Sequence, residues 1–513
     1  METRADRRPD LEDRLRRLNE IGIALSSVQN DLTALLEQIL EQARHFTCAE
    51  AGTLYLAKGD VLTFEIAQNE KLKIVLGGRR GTVDIPPVPI NRESVSGYVA
   101  TTGQTLNIPD VYAESERHFE GPKSYDRMTG YHTQSMLVVP MRDHEEQIAG
   151  VLQLLNALGP DGSARPFSEE DRALVESLAS QAAVAINNAR LIRDTEALFD
   201  AFVRVMATAI DERSPYTGGH IRRVAELTMV VAEAVNACCQ GPLADVRFSD
   251  AEMEELRMAA WMHDIGKITT PEWIVDKPTK LTTIFDRLEV LRMRFAFMIQ
   301  SVDLRLARGE LGAEEGALQK AEIADDLAFI ERSNLPGEFM EEADLRRLHQ
   351  IAERTYEVNG NVQPCLSEDE LANLCIRKGS LTDAERQKIN DHAAMSMKML
   401  EQIPFTRKLR RVPEIAGAHH EKLDGSGYPR GLKGAQIDLQ SRILALVDIF
   451  ESLSADDRPY RSKPMPREVV MRILQSMVDD QHIDADVFAL FVREGLDAQL
   501  DEIKAQMARE AER

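Results

Sequence analysis

Apolar residues recur every three or four positions from Leu11 to about Phe46 (Leu15, Leu18, Ile21, Ile23, Leu25, Leu32, Leu35, Leu36, Ile39), which predicts a helix. The period then changes to two. Gly52–Leu56 and Val61–Ala67 read as strands on either side of a Lys58-Gly59-Asp60 turn. Thr105–Pro109, Ser135–Met141 and Ile148–Leu155 predict further strands. Ser168, with Asp171 three residues on, is a helix-start signal. From there Leu174, Val184, Leu191, Leu198 and Val205 run on without a break signal until Pro215, predicting one long helix. Val184, Leu191, Leu198 and Val205 fall seven apart, but the companion column (Asn188, Thr195, Phe202) is mostly polar, as in a short, imperfect coiled coil.

Beyond Pro215 the pattern is helical. Ile221, Val224, Leu227, Val230 and Val231 make one stripe. Between residues 281 and 380, Ile284, Leu288, Leu291, Phe295 and Met298 form another, and Leu327, Ile330, Leu345, Leu348 and Ile351 form more. Pro336-Gly337 and Asn359-Gly360 interrupt them. This region is expected to be a helical hairpin or small bundle.

Composition narrows the class. A chain of 513 residues is long enough for two to four domains. A net charge of -23 argues against a nucleic-acid polymer as partner, but a small anion held by metal ions stays open. Five cysteines without CxxC spacing read as reduced thiols. The N-terminus shows no signal-peptide pattern and no run reaches the ~18 apolar residues of a membrane span, so a cytoplasmic protein is expected.

The candidate chemistry lies among histidines. His263-Asp264 closes an apolar helix, and a buried Asp is costly unless paired or bound to metal. His220, His392, the pair His419-His420 and Asp448 add five more donors in the same half of the chain. Successive helix residues point about 100° apart, so His419 and His420 share a target only at a helix end. The glycines of Asp424-Gly-Ser-Gly-Tyr-Pro429 let backbone approach a ligand closely. Nitrogen and carboxylate donors together suit transition metals, and seven suit two ions.

Two resemblances follow. Ile108-Pro-Asp-Val-Tyr112, Thr129–Met141 and Phe167-Ser-Glu-Glu-Asp171 resemble a GAF domain, most of all those of cyclic-nucleotide phosphodiesterases. That implies a small-ligand site, a cyclic nucleotide being one candidate, although Ala157 stands where the family often has lysine after Asn156. Ser214–Val224, His263-Asp-Ile-Gly-Lys-Ile268, His419–Gly434 and Asp456–Arg461 resemble the HD-GYP family of metal-dependent phosphodiesterases, with Gly427-Tyr428-Pro429 intact. That family hydrolyses cyclic di-GMP to pGpG and often to GMP. The resemblance implies that His220, His263, Asp264 and Asp448 hold one divalent ion, iron or manganese. Asp264 would bridge to a second ion on His392, His419 and His420, and a bridging hydroxide would attack phosphorus. It implies a catalytic or phosphate-binding Lys267, substrate contacts from Gly427, Tyr428 and Pro429, and phosphate pairing by Arg458 and Arg461. Tyr216 replaces a Glu that brings a third metal in some members, so two are expected. Ala393 and Ser396 replace the family's Pro and Gly, which would alter a loop's shape.

The expected architecture is multidomain. A tail (1–14) precedes an α+β GAF sheet domain (15–190) and a signalling helix (191–213). An all-α HD-GYP domain (214–500) with a helical insertion (281–380) and a charged tail (501–513) follow. A homodimer through the GAF domain and linker helices is expected, with the insertion as a protein-binding surface. The alternatives are a weakly catalytic cyclic di-GMP receptor signalling through the insertion, or a hydrolase of another cyclic dinucleotide.

Overall fold

The computed structural model describes residues 32–78, 85–114, 119–143, 145–213, 219–336, 339–455 and 465–511. The helix expected from Leu11 is described only from Leu32. The chain divides into two compact units, one ending at Phe199 and the other beginning at Asp200.

In the first unit, α1 (Leu32–Thr47) leads into β1 (Ala49–Lys58), β2 (Val61–Asn69), β3 (Ile74–Gly77) and β4 (Val88–Pro89). Then come α2 (Val95–Thr102), β5 (Leu106–Ile108), α3 (Glu120–Thr129), β6 (Met136–Arg142), β7 (Ile148–Leu158), β8 (Ala164–Arg165) and α4 (Glu169–Asp211). The strands form one antiparallel sheet, ordered β3-β2-β1-β7-β6-β5, with β4 on β2 and β8 on β7. The five expected strands are all present. β3, β4 and β8 have two to four residues each, too few for a period to register.

Strand alternation divides the core in two. Leu54, Leu137, Val139, Leu152 and Leu154 pack with Ile39 and Leu40 of α1 and with Val175 and Leu178 of α4. Tyr55, Met136, Val138 and Val151 face the other way, with Val99, Ile108 and Phe119. Asn156 is buried at a left-handed φ of 53°. Its Oδ1 accepts from the backbone of Gln134 and Ser135, and its Nδ2 donates to His132 O, so the fold itself uses both ends of the amide. Ser168 Oγ accepts from Asp171 N while Asp171 Oδ2 accepts from Ser168 N, a reciprocal cap that starts α4. The helix then runs for 43 residues.

The second unit is helical. It contains α5 (His220–Ala237), α6 (Asp250–Met262), a 3-10 turn (Ile265–Thr269) and the short α7 (Glu272–Val275). Next come α8 (Leu288–Ala307), α9 (Ala313–Asn334), α10 (Glu342–Ala352), β9 (Thr355–Val358), β10 (Asn361–Pro364) and α11 (Glu368–Leu374). The last helices are α12 (Asp383–Leu400), α13 (Val412–Gly417), α14 (Leu439–Ser454), α15 (Arg467–Asp479), α16 (Ala485–Arg493) and α17 (Gln499–Ala511). No helix among the described residues is long and apolar enough to cross a membrane. α17 covers most of the segment read as a charged tail; it buries Leu500 and Ile503 and pairs Glu510 with Arg222 at 2.7 Å.

Residues 281–374 contribute a core of their own, including Leu281, Leu291, Phe295, Met298, Ile330 and Leu348. α8 and α9 run antiparallel: Arg292 pairs with Glu331 and Asp303 with Lys320. The expected stripe needs one correction. Ile284 precedes α8 and is 92% exposed, so the stripe begins at Leu288. The segment is also not wholly helical. Asn359 and Gly360 both take positive φ (52° and 77°), turning β9 back on β10 in a hairpin. Lys277, 3% exposed, clamps the two ends of the segment: Nζ donates to both oxygens of Glu385 and to Asn373 Oδ1, all at 2.9 Å.

Candidate metal centre

Six elements of the second unit bring the predicted donors together. His220 is the first residue of α5, and α6 is started by a Ser249–Glu252 capping box and ends at His263. Asp264 opens the 3-10 turn, His392 lies on α12, and His419 and His420 follow α13. Asp448 sits on α14. Each segment is apolar on its packed side, so folding carries the polar donors inside.

Asp264 lies at the middle, 2% exposed. Its Oδ2 is 3.6 Å from His220 Nε2 and 3.3 Å from His263 Nε2. Its Oδ1 is 3.2 Å from His392 Nε2 and 4.0 Å from His419 Nε2. Asp448 Oδ1 reaches His220 Nε2 at 3.3 Å and His263 Nε2 at 3.8 Å. His392, His419 and His420 offer ligand atoms all within 4.8 Å of one another, and so do His220, His263 and Asp448. The seven predicted donors thus form two groups with Asp264 between them.

The outer ring nitrogens are held from behind. His263, His392 and His419 each donate Nδ1–H to the carbonyl three residues earlier, at 2.8, 2.5 and 2.6 Å. That leaves Nε2 aimed inward as a lone pair, the arrangement a metal ligand needs. His220 differs: its Nδ1 meets Glu451, a wholly buried carboxylate that also accepts from Arg223 Nε at 2.6 Å. Ser396 has a role that differs from the one expected. The expected change of loop shape at Ala393 and Ser396 is corrected, since both lie within α12. Ser396 Oγ donates to His263 O (2.6 Å) and accepts from Gly266 N (2.9 Å), tying α12 to the Asp264 turn. A Cβ on Gly266 would lie 2.1 Å from His392 O, so the approach requires glycine.

The Gly427–Pro429 loop folds back on the histidines. Tyr428 N donates to His420 O at 3.2 Å, and the two rings lie 4.9 Å apart. A Cβ on Gly427 would lie 2.3 Å from Lys422 N. Buried Glu421 accepts from Arg430 N and Leu432 N, which holds the loop's return. Lys267 Nζ is 2.5 Å from Asp264 Oδ2. Arg458, Arg461 and Tyr216 lie outside the described residues.

Two electrostatic halves result. Burial opposes charge on His220, but Glu451 outweighs it and the ring is held well above its usual range. Burial and the neighbouring histidines push His419 well below that range and His420 down to about 4. Asp264 stays well below the usual carboxylate range despite burial, because Lys267 and His263 favour its charge. Among the described residues His263 Nε2 and Asp264 Oδ1 are buried without a hydrogen-bond partner. A ring nitrogen and a carboxylate oxygen buried without partners are costly, and a bound cation would satisfy both. The donor set therefore fits divalent transition-metal ions.

The fold and site define a class: a GAF domain joined to an HD domain. GAF domain sequence is matched at residues 31–186, and HD domain sequence at 217–344 and 368–487. The chain is homologous to HD-type phosphodiesterases of Vibrio cholerae. It is 27% identical over 296 residues to 3'3'-cGAMP-specific phosphodiesterase 3 of that organism, covering 57% of this chain and 39% of the relative. It is 44% identical over 117 residues to 3'3'-cGAMP-specific phosphodiesterase 1, covering 23% and 26%. It is 35% identical over 127 residues to a probable cyclic di-GMP phosphodiesterase, covering 24% and 28%. The chain thus spans well under half the length of these relatives.

Proposed function

We propose that this chain is a metal-dependent phosphodiesterase that hydrolyses cyclic di-GMP to pGpG and/or GMP, regulated through its GAF domain. The observation that carries this reading is the pair of donor groups about Asp264, with His263 Nε2 and Asp264 Oδ1 buried there without hydrogen-bond partners. His220, His263, Asp264 and Asp448 would hold one ion. Asp264, His392, His419 and His420 would hold the other, iron or manganese by donor type. Bound there, the ions supply Lewis acidity and lower the pKa of a bound water.

This chain's own residues do the rest. Asp264 serves both groups at once through its two oxygens. Lys267 stands beside it, where an ammonium can meet a phosphate oxygen. Gly427 and Pro429 set the loop that presents Tyr428 next to His420, forming one wall for the substrate. Arg458 and Arg461 would supply guanidinium forks to phosphate oxygens. A homodimer through the GAF domain and α4 fits the exposed apolar side chains of Leu191, Leu198, Phe202 and Val205 along that helix. The insertion is a candidate protein-binding surface.

A second reading is 3'3'-cGAMP as the preferred substrate, favoured by the names of two of the relatives. A kcat/KM comparison of the two cyclic dinucleotides on manganese-loaded protein decides between them. At least tenfold preference for cyclic di-GMP is expected; the reverse ratio would transfer the assignment to 3'3'-cGAMP.

A further inference from the structure

The end of α4 is tied to two of the segments that carry the candidate metal ligands. Asp211, the last helical residue and 5% exposed, accepts the backbone N–H of Ile221 at 3.1 Å. Ile221 follows His220 at the start of α5. Two residues beyond Asp211, Arg213 donates through Nη1 to the carbonyls of Lys267 (3.0 Å) and Ile268 (2.6 Å). Both carbonyls belong to the 3-10 turn that Asp264 opens. Ile210, Asp211 and Arg213 also line one cavity with His220, Asp264 and Lys267.

The helix does not need these ties to end. Glu212 N already bonds to Thr208 O and Arg213 N to Ile210 O. The two side chains add something separate: a carboxylate on the amide next to one ligand, and a guanidinium across two carbonyls beside the other. Asp264 must lie within ligand distance of the same ion as His220, and errors of about 1 Å in such a centre cost on the order of 100-fold. A stiff helix that grips both segments at one end is therefore a joint.

We propose that Asp211 and Arg213 are positioning residues of the metal centre. They fix the spacing between His220 and the Asp264–Lys267 turn, so that displacement of α4 alters how well the two segments share an ion. This rests on the metal-centre reading above and names the regulation of that same site.

The experiment uses full-length protein and its Arg213→Ala, Arg213→Lys, Asp211→Ala and Asp211→Asn variants. Three quantities are read: Mn²⁺ affinity, kcat and KM on cyclic di-GMP, and the thermal unfolding midpoint of the metal-free protein. Arg213→Ala and Asp211→Ala should each weaken Mn²⁺ binding by roughly tenfold or more and lower kcat comparably, with KM and midpoint unchanged. Arg213→Lys and Asp211→Asn, which keep a donor and an acceptor in place, should recover most of both losses. Wild-type affinity and kcat in the alanine variants would overturn the proposal. So would losses that track a lowered midpoint and are not rescued, since those mark a merely structural role. A change in KM alone would make Arg213 a substrate contact and equally overturn it. If the wild type binds Mn²⁺ but hydrolyses neither cyclic dinucleotide, the activity reading fails, while the affinity comparison still decides the role of the joint.

Discussion

At the residue scale, the two donor groups differ in where their protons sit. The Glu451 carboxylate, its own pKa lowered to about 2 because the charged partners His220 and Arg223 outweigh its burial, keeps His220 protonated in the metal-free protein. A cation entering that group must expel the proton, so its affinity rises with pH. Burial and neighbouring histidines disfavour the protonated forms of His419 and His420, so these two ligands need no such release. Manganese titration of metal-free protein between about pH 6 and about pH 8 should therefore show one site that strengthens with pH and releases protons, and one that is nearly flat. Two sites with equal slopes would contradict this. Glu451→Gln keeps the shape but removes the charge behind His220. It should weaken metal binding by roughly 10- to 100-fold, read by competition with a chelator.

The same scale shows what the sequence could reveal. The seven donors stand out because histidine beside histidine or aspartate in an apolar helix is rare and costly. Glu451 does not stand out, since a glutamate one turn after Asp448 has the spacing of an ordinary helix-surface residue. The one available signal is its place directly after Phe450 in the apolar run from Ile443, where a solvated face would not be expected. Ser396 is less legible still, because its hydroxyl serves two backbone groups more than a hundred residues away in sequence.

At the element scale, the insertion stands on its own core. Phe295 is wholly buried in it, whereas Ile284 is 92% exposed. Phe295→Ala should cost about 3–5 kcal/mol in urea unfolding of the second unit. Ile284→Ser should stay within about 0.5 kcal/mol. A large loss at Ile284 would mean that another surface covers it. The helical period located α8 and α9 but extended the stripe one turn too far, because apolar spacing continues through Thr282–Asp286 although the chain there turns on itself. In the sequence Asn359-Gly360 reads only as an interruption of helices, not as the turn of the β9–β10 hairpin. Its strands carry exposed Glu357, Asn361 and Gln363 and bury little, so their alternation was weak.

At the scale of the whole molecule, one 43-residue helix belongs to both units, and its last turn grips the metal centre. Its length was readable because nothing between Ser168 and Pro215 can stop a helix; what its end touches was not, because those bonds are long-range. If the GAF domain regulates through it, removing residues 1–190 should change turnover by roughly fivefold or more. Unchanged turnover would leave the first unit without a regulatory role. Leu198, 71% exposed on the heptad face, should matter to self-association. Leu198→Glu is expected to convert a dimer to a monomer in sedimentation, and an unaltered mass would exclude α4 as the contact.

A two-ion centre organised by Asp264 would cleave a cyclic dinucleotide. The most direct measurement is product formation from cyclic di-GMP by anaerobically purified, manganese- or iron-loaded protein, beside Asp264→Ala. The wild type should form pGpG, GMP or both, with at least about a thousandfold loss in the variant. Two bound ions without product, or equal product from the variant, would contradict it.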